Sequence, residues 1–193
     1  MRLSPTTQPP KHLLYALLLV LAGCSPLAPL NMVIPDGEYR VLADQAYGDN
    51  PRQKLDVYLP RENLQQAPVV VFYYGGSWRG GKRQNYAFVA EALAARGIIT
   101  VIPDYRVYPE VRYPDFLRDN AAALAWVERE RHNWQDSPQG LFVMGHSAGG
   151  YNAAMLALDD RWLAEQDLSR EQLSGWIALA GAYDFIPIIN PRV

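Results

Sequence analysis

The segment Gly145-His146-Ser147-Ala148-Gly149 restricts this 193-residue chain more than any other. Residues 141–144 (Leu, Phe, Val, Met) are a short apolar run, which predicts a strand buried on both faces. Behind Gly149 comes a small-residue helix pattern with Gly150, Ala153 and Ala154. A strand that ends in G-x-S-x-G and turns at once into a helix is the context of a nucleophile elbow. The flanking glycines permit a tight, strained turn that lifts the Ser147 hydroxyl above the sheet. The N–H of Ala148, in the first helical turn, then points to where an oxyanion would form. A bare five-residue match would suit an ordinary loop as well; the strand before it and the helix after it argue against a loop.

The rest of the chain alternates strand and helix signals. Residues 38–43 predict a weak first strand. Residues 54–59 alternate, with Leu55, Val57 and Leu59 on one side, which predicts a half-buried antiparallel strand at a sheet edge. Residues 68–74 are continuously apolar and predict a central strand, ended by Gly75-Gly76-Ser77-Trp78. Helical spacing covers 85–96, with Gly97 as the stop, and 114–132, with Pro114 at the start. Strands at 98–102 and 176–180 complete the pattern, and Ser169 with Gln172 has capping-box spacing. This order predicts an α/β fold: a mostly parallel sheet with right-handed crossovers and helices on both faces. Ligands bind such sheets at the carboxyl ends of the strands. Gly75-Gly76 and Gly145 to Gly149 both lie at such ends.

The length suits one domain with a real core. A net charge of −2 without a long run of one sign gives no reason to expect nucleic acid. Three histidines and one cysteine exclude a Cys/His zinc framework and an internal disulfide, and no metal or cofactor is implied. At the N-terminus, Arg2 and Lys11 precede an apolar run over 13–22, too short to span a bilayer but suited to a signal-peptide core. Leu21-Ala22-Gly23-Cys24 resembles the lipobox of bacterial lipoproteins. The resemblance implies that residues 1–23 are removed and that Cys24 is lipidated. It further implies an anchored protein of the cell envelope, in the outer membrane facing the periplasm. Residues 24–35 then form a tether, and the folded domain spans 36–193.

Four stretches carry a resemblance to a known family: Leu55-Asp-Val-Tyr-Leu-Pro60, Tyr74-Gly-Gly-Ser-Trp78, Pro103-Asp-Tyr-Arg-Val-Tyr-Pro-Glu110 and Gly145-His-Ser-Ala-Gly149. In order and spacing they resemble the α/β-hydrolases of the carboxylesterase and hormone-sensitive-lipase-like group, in particular a branch of bacterial lipoprotein esterases. Where that family has His-Gly-Gly-Gly, this chain has Tyr74-Gly75-Gly76-Ser77. The resemblance implies an oxyanion hole from main-chain N–H groups of Gly75, Gly76 and Ser77 together with Ala148. Asp104-Tyr105-Arg106 matches the family's Asp-Tyr-Arg and is read as a charged pair that fixes a loop behind the site. Trp78 and Tyr151 are candidates for an acyl pocket or for plain core, and Asp119 for a solvated or hydrogen-bonded carboxylate.

The implied triad runs Ser, then Asp or Glu, then His along the chain. No histidine follows Ser147. His12 leaves with the signal segment, His146 is expected to point away from the reaction face, and His132 precedes the elbow strand. Asp184 comes one strand too early to match the family's acid. The expectation is therefore a sheet lacking its last strands, with acid and base coded beyond Val193. The expected function is hydrolysis of a small-molecule carboxylic ester through Ser147. Two alternatives remain: a lipid-anchored binding remnant without chemistry, and a peptidase or other acyl hydrolase on the same fold.

Overall fold

The computed structural model describes residues 31, 39–62, 64–135 and 139–184. The signal segment, Cys24, the tether apart from Asn31, and residues 185–193 lie outside the described residues. In chain order the strands are β1 (Tyr39–Ala46), β2 (Lys54–Pro60), β3 (Val69–Tyr73), β4 (Ile99–Pro103), β5 (Leu141–His146) and β6 (Gly175–Leu179). The helices are α1 (Ala87–Ala94), α2 (Asp115–Glu130), α3 (Ala148–Leu158) and the short α4 (Asp160–Ala164).

The strands form one sheet in the order β1-β2-β4-β3-β5-β6. β1 and β2 are antiparallel additions, and β4, β3, β5 and β6 are parallel. The apolar runs of β3 and β4 are buried at every residue, as strands covered on both faces must be. From β3 to β4 the chain steps one way across the sheet; from β4 through β5 to β6 it steps the other way. Right-handed crossovers then put α1 on one face and α2 with α3 on the opposite face. Consistently, α1 packs on β2 and β4, while α2 and α3 pack against each other over the parallel strands. The Tyr73 hydroxyl donates to the Asn120 carbonyl at 2.9 Å and ties β3 to α2.

Helix punctuation follows the sequence. Gly97, at φ +74°, ends the α1 region in the left-handed conformation that a helix stop requires. Pro114 stands at the N-cap of α2. At α1 the cap is borrowed: Asn31 accepts from the Phe88 N–H at 3.2 Å and donates to the Gln84 carbonyl at 2.8 Å. The spacing read at 169–172 also forms its cap, with the Ser169 N–H donating to the Gln172 side chain at 2.8 Å.

Two expectations are corrected. β2 is neither half-buried nor at an edge; it lies between β1 and β4 and is buried from Leu55 onward. Its polar-looking side chains are covered because each has a partner. Asp56 pairs with Arg83 at 2.8 Å, and the Tyr58 ring meets Tyr39 of β1 at 5.4 Å. β5 is covered less than its apolar run implies, with Phe142 and Met144 only half-buried. Beside it, Trp176, Ile177 and Leu179 of β6 are exposed.

Buried tyrosines give the fold a pH limit. Burial pushes the phenols of Tyr73 and Tyr105 above the ordinary tyrosine range, so the folded state holds those protons more tightly than the unfolded chain. Their contribution is complete below about pH 10, where unfolded tyrosine titrates, and falls as pH rises above it. Thermal unfolding followed between pH 7 and 11 should give a nearly level Tm to about pH 9 and a steepening fall above about pH 10.

Candidate active site

Ser147 sits between the end of β5 and the start of α3 at φ 53°, ψ −120°, a conformation sparsely populated by residues with a side chain. Sterics explain why the turn needs its two glycines. A Cβ on Gly149 would stand 1.9 Å from the Tyr73 carbonyl oxygen, and one on Gly145 would stand 2.0 Å from the Gly149 carbonyl oxygen. The first turn of α3 therefore lies directly on the ends of β3 and β5, with no room for a methyl group. The Ser147 N–H donates to the Leu179 carbonyl at 2.8 Å, so β6 also holds the turn. The Tyr151 N–H bonds back to the Ser147 carbonyl at 3.1 Å and starts the helix. The N–H groups of the first turn, Ala148 included, have no carbonyl of their own helix to bond.

The second glycine signal arrives at the same place. A Cβ on Gly75 would stand 3.0 Å from both the Ser147 Cβ and the His146 carbonyl oxygen. Gly75 thus lies in contact with the elbow, and Gly76 (φ +147°), Ser77 (φ 51°) and Trp78 (φ 54°) turn sharply away from it. The structure brings the residues read as an oxyanion loop against the residue read as a nucleophile.

What holds that loop was only partly visible in the sequence. Tyr74, standing where the related motif has histidine, is fully buried. Its ring stacks between Tyr105 (4.9 Å) and Tyr86 (5.5 Å). Its hydroxyl donates to Asp104 at 2.6 Å, and its carbonyl accepts from the Tyr105 hydroxyl at 2.7 Å. Burial, and then the Asp104 charge, push the Tyr74 phenol well above its ordinary value, so it stays a donor. Arg52 reaches the Tyr74 hydroxyl and the Gly81 carbonyl, each at 3.1 Å.

Asp104 and Arg106 do not form the charged pair expected of them. Asp104 pairs with the buried Arg83, which also meets Asp44 and Asp56. Burial opposes the charge on Arg83, but hydrogen bonds and charge from Asp56 and Asp104 outweigh it and raise its pKa. Arg106 turns to Asp119 of α2, at 2.7 Å. Asp119 is buried and hydrogen-bonded, receiving Gln53 at 2.9 Å as well. The expected role, a brace behind the loop, therefore has two separate ion clusters instead of one neighbouring pair. Arg52, Gln53 and Arg83 carried no motif that marked them.

Trp78 and Tyr151 meet edge to face at 5.5 Å, and Trp78 stacks on Phe116 at 5.6 Å. The Trp78 indole donates to Asn152, a fully buried residue of α3, at 2.9 Å. The pair joins the turn after Gly76 to the helix after Ser147. His132 lies in a short turn after α2, a helix that starts near the carboxyl ends of the strands and runs back toward their amino ends. His146 is exposed but does not turn away from the loop: its Nδ1 lies 3.2 Å from where a Gly75 Cβ would be. Among the described residues, neither an imidazole nor Asp184 is hydrogen-bonded to the Ser147 hydroxyl.

Comparison with known proteins agrees with this fold. Residues 55–190 match the family model BD-FAE. The chain is 32% identical over 151 residues to isoprenylcysteine alpha-carbonyl methylesterase ICME of Arabidopsis thaliana, covering 75% of this chain and 35% of that protein. It is 35% identical over 146 residues to esterase LipC of Mycobacterium tuberculosis, covering 72% of this chain and 36% of that protein. Among solved structures, the hyperthermophilic esterase of Pyrobaculum calidifontis superposes with a TM-score of 0.63 at 26% identity, over 81% of this chain and 48% of that one. The chain thus spans little more than a third of the length of these curated relatives.

The steric account of the elbow predicts a contrast between two glycines. Gly149→Ala must displace backbone and should cost about 3 kcal/mol or prevent folding. Gly80→Ala, with nothing within 4 Å of its Cβ, should change stability by less than about 1 kcal/mol. Urea denaturation of the two variants beside the parent measures both.

Proposed function

The chain belongs to the BD-FAE family and has an α/β-hydrolase esterase fold, and on that premise we propose that it hydrolyses carboxylic esters by acyl transfer through Ser147. The observation that carries the reading is the contact between Gly75 and the strained Ser147 at the carboxyl end of the parallel strands. Ser147 attacks the ester carbonyl. Main-chain N–H groups from Ala148 and the Gly75-Gly76-Ser77 loop stabilise the oxyanion, where preformed donors act without reorganisation. The burial and bracing of Tyr74 support that role, because a loop that supplies main-chain donors must not move. A histidine and a carboxylate outside the described residues serve as base and acid.

The same proposal includes anchoring. Cys24 carries lipid after removal of residues 1–23, residues 24–35 tether the domain that begins at 36, and the protein faces the periplasm from the outer membrane. The lipobox-like stretch Leu21-Ala22-Gly23-Cys24 supports this part.

A binding protein that keeps the elbow but performs no chemistry is the rival reading. It draws on one observation, the lack of an imidazole bonded to Ser147 among the described residues. Hydrolysis of a short-chain nitrophenyl ester, by a chain long enough to carry that base and acid, decides between them. If the ester reading holds, Ser147→Ala lowers kcat/KM by about 10³-fold or more. A parent no faster than Ser147→Ala supports the binding protein, and a variant within tenfold of an active parent moves the chemistry elsewhere.

A further inference from the structure

The turn that leaves the Gly75-Gly76 loop and the loop that leaves β4 meet at the rim of this site, and together they present two arginines. The Arg79 N–H donates to the Gly76 carbonyl at 2.9 Å, which closes a tight turn directly after the residue against Ser147. The Tyr108 N–H donates to the Trp78 carbonyl at 2.8 Å and joins the second loop to that turn. On this junction the guanidinium of Arg79 lies 6.0 Å, and that of Arg112 5.3 Å, from the centre of the same Tyr108 ring. Both arginines are exposed, and among the described residues neither has a carboxylate partner.

The carboxylates closest in sequence have other partners, an arginine for Asp115 and a neutral amide for Glu110. Asp115 pairs with Arg118 at 2.9 Å, and Glu110 accepts from Asn50 at 2.7 Å. The geometry that presents Arg79 is also costly. Ser77 and Trp78 both lie at positive φ, and Trp78 is fastened by its indole to the buried Asn152. Two cations with no carboxylate partner among the described residues, beside one aromatic ring and close to the Gly75 loop, favour an anion.

We propose that Arg79 and Arg112, mounted on Tyr108, form a subsite for a carboxylate carried by the substrate some distance from its ester. The substrate class is then an ester of a dicarboxylic or otherwise acid-bearing compound. This rests on the ester reading above, but the subsite can be tested apart from catalysis. A planar guanidinium meets a carboxylate through paired N–H donors, while the tyrosine ring helps hold each cation in place. Because the pair is exposed, its attraction is screened by salt.

The test uses Ser147→Ala protein, so binding is read without turnover. Glutarate and its neutral diamide are titrated by calorimetry at low and at high salt, in this background and with Arg79→Gln, Arg112→Gln or both added. Glutarate should bind at least about fivefold more tightly than the diamide, lose that margin in the double variant, and weaken with salt. Arg79→Lys with Arg112→Lys keeps the charge and should retain part of the margin, which separates loss of the subsite from damage to the loops. Equal affinity for the two probes, or a preference unchanged by Arg79→Gln with Arg112→Gln, overturns the subsite. With Ser147 intact, in a chain that also carries the base and acid, the mono-nitrophenyl ester of glutaric acid should be hydrolysed with a higher kcat/KM than nitrophenyl butyrate, and the double variant should remove the difference. If neither ester is cleaved while glutarate still binds through the arginines, the subsite stands and the ester reading falls.

Discussion

The site depends on a contact with no spare room: the α-carbon of Gly149 against the carbonyl of Tyr73. This contact lets α3 begin directly over the ends of β3 and β5, and the chain can enter α3 only by placing Ser147 at positive φ. A wider approach would let the turn relax into an ordinary helix entry. The side chain of residue 147 would then no longer stand above the strand ends. The strain at Ser147 is therefore imposed by packing around it, and the surrounding sheet, buried throughout β3 and β4, offsets its cost of about 1–3 kcal/mol.

A second constraint brings the Gly75 loop to that serine and keeps it there. Tyr74 occupies the centre of an aromatic stack, with its hydroxyl on Asp104 and its carbonyl under the Tyr105 hydroxyl. Because a peptide unit is planar and trans, fixing the Tyr74 carbonyl also fixes the direction of the Gly75 N–H. Asp104 can be buried because Arg83 is buried with it. Removing Arg83 would leave the buried Asp104 and Asp56 without their cation, which costs several kcal/mol. The brace is thus electrostatic beneath and aromatic above, whereas the elbow is held by contact alone.

These two devices differ in how well the sequence reveals them. The elbow was legible because its requirements are local: an apolar run, two glycines at fixed spacing, and small residues behind them. The mostly parallel sheet followed from strand and helix signals of ordinary length. The brace was not legible, because its partners are distant in the chain. Asp56 looked solvent-facing in an alternating strand, and only Arg83, from another loop, explains its burial. Asp104 and Arg106 looked like a pair because they are neighbours, yet each found a partner on a different element. Long-range charge pairing leaves no periodicity to read, and the rim arginines around Tyr108 are hidden for the same reason.

The central claim, that packing forces Ser147 into a strained turn, is tested most directly by stability and needs no substrate. Ser147→Ala and Ser147→Gly both remove the hydroxyl, but only glycine accepts positive φ without penalty. Residue 147 is also the N-cap of α3, where glycine exceeds alanine by up to about 1 kcal/mol even without strain, so strain is read from the margin beyond that. Under this account, chemical denaturation should find Ser147→Gly more stable than Ser147→Ala by about 2 kcal/mol or more, the N-cap preference plus the strain. A margin of about 1 kcal/mol or less, no more than the ordinary N-cap preference, would show that residue 147 is unstrained and would contradict the account.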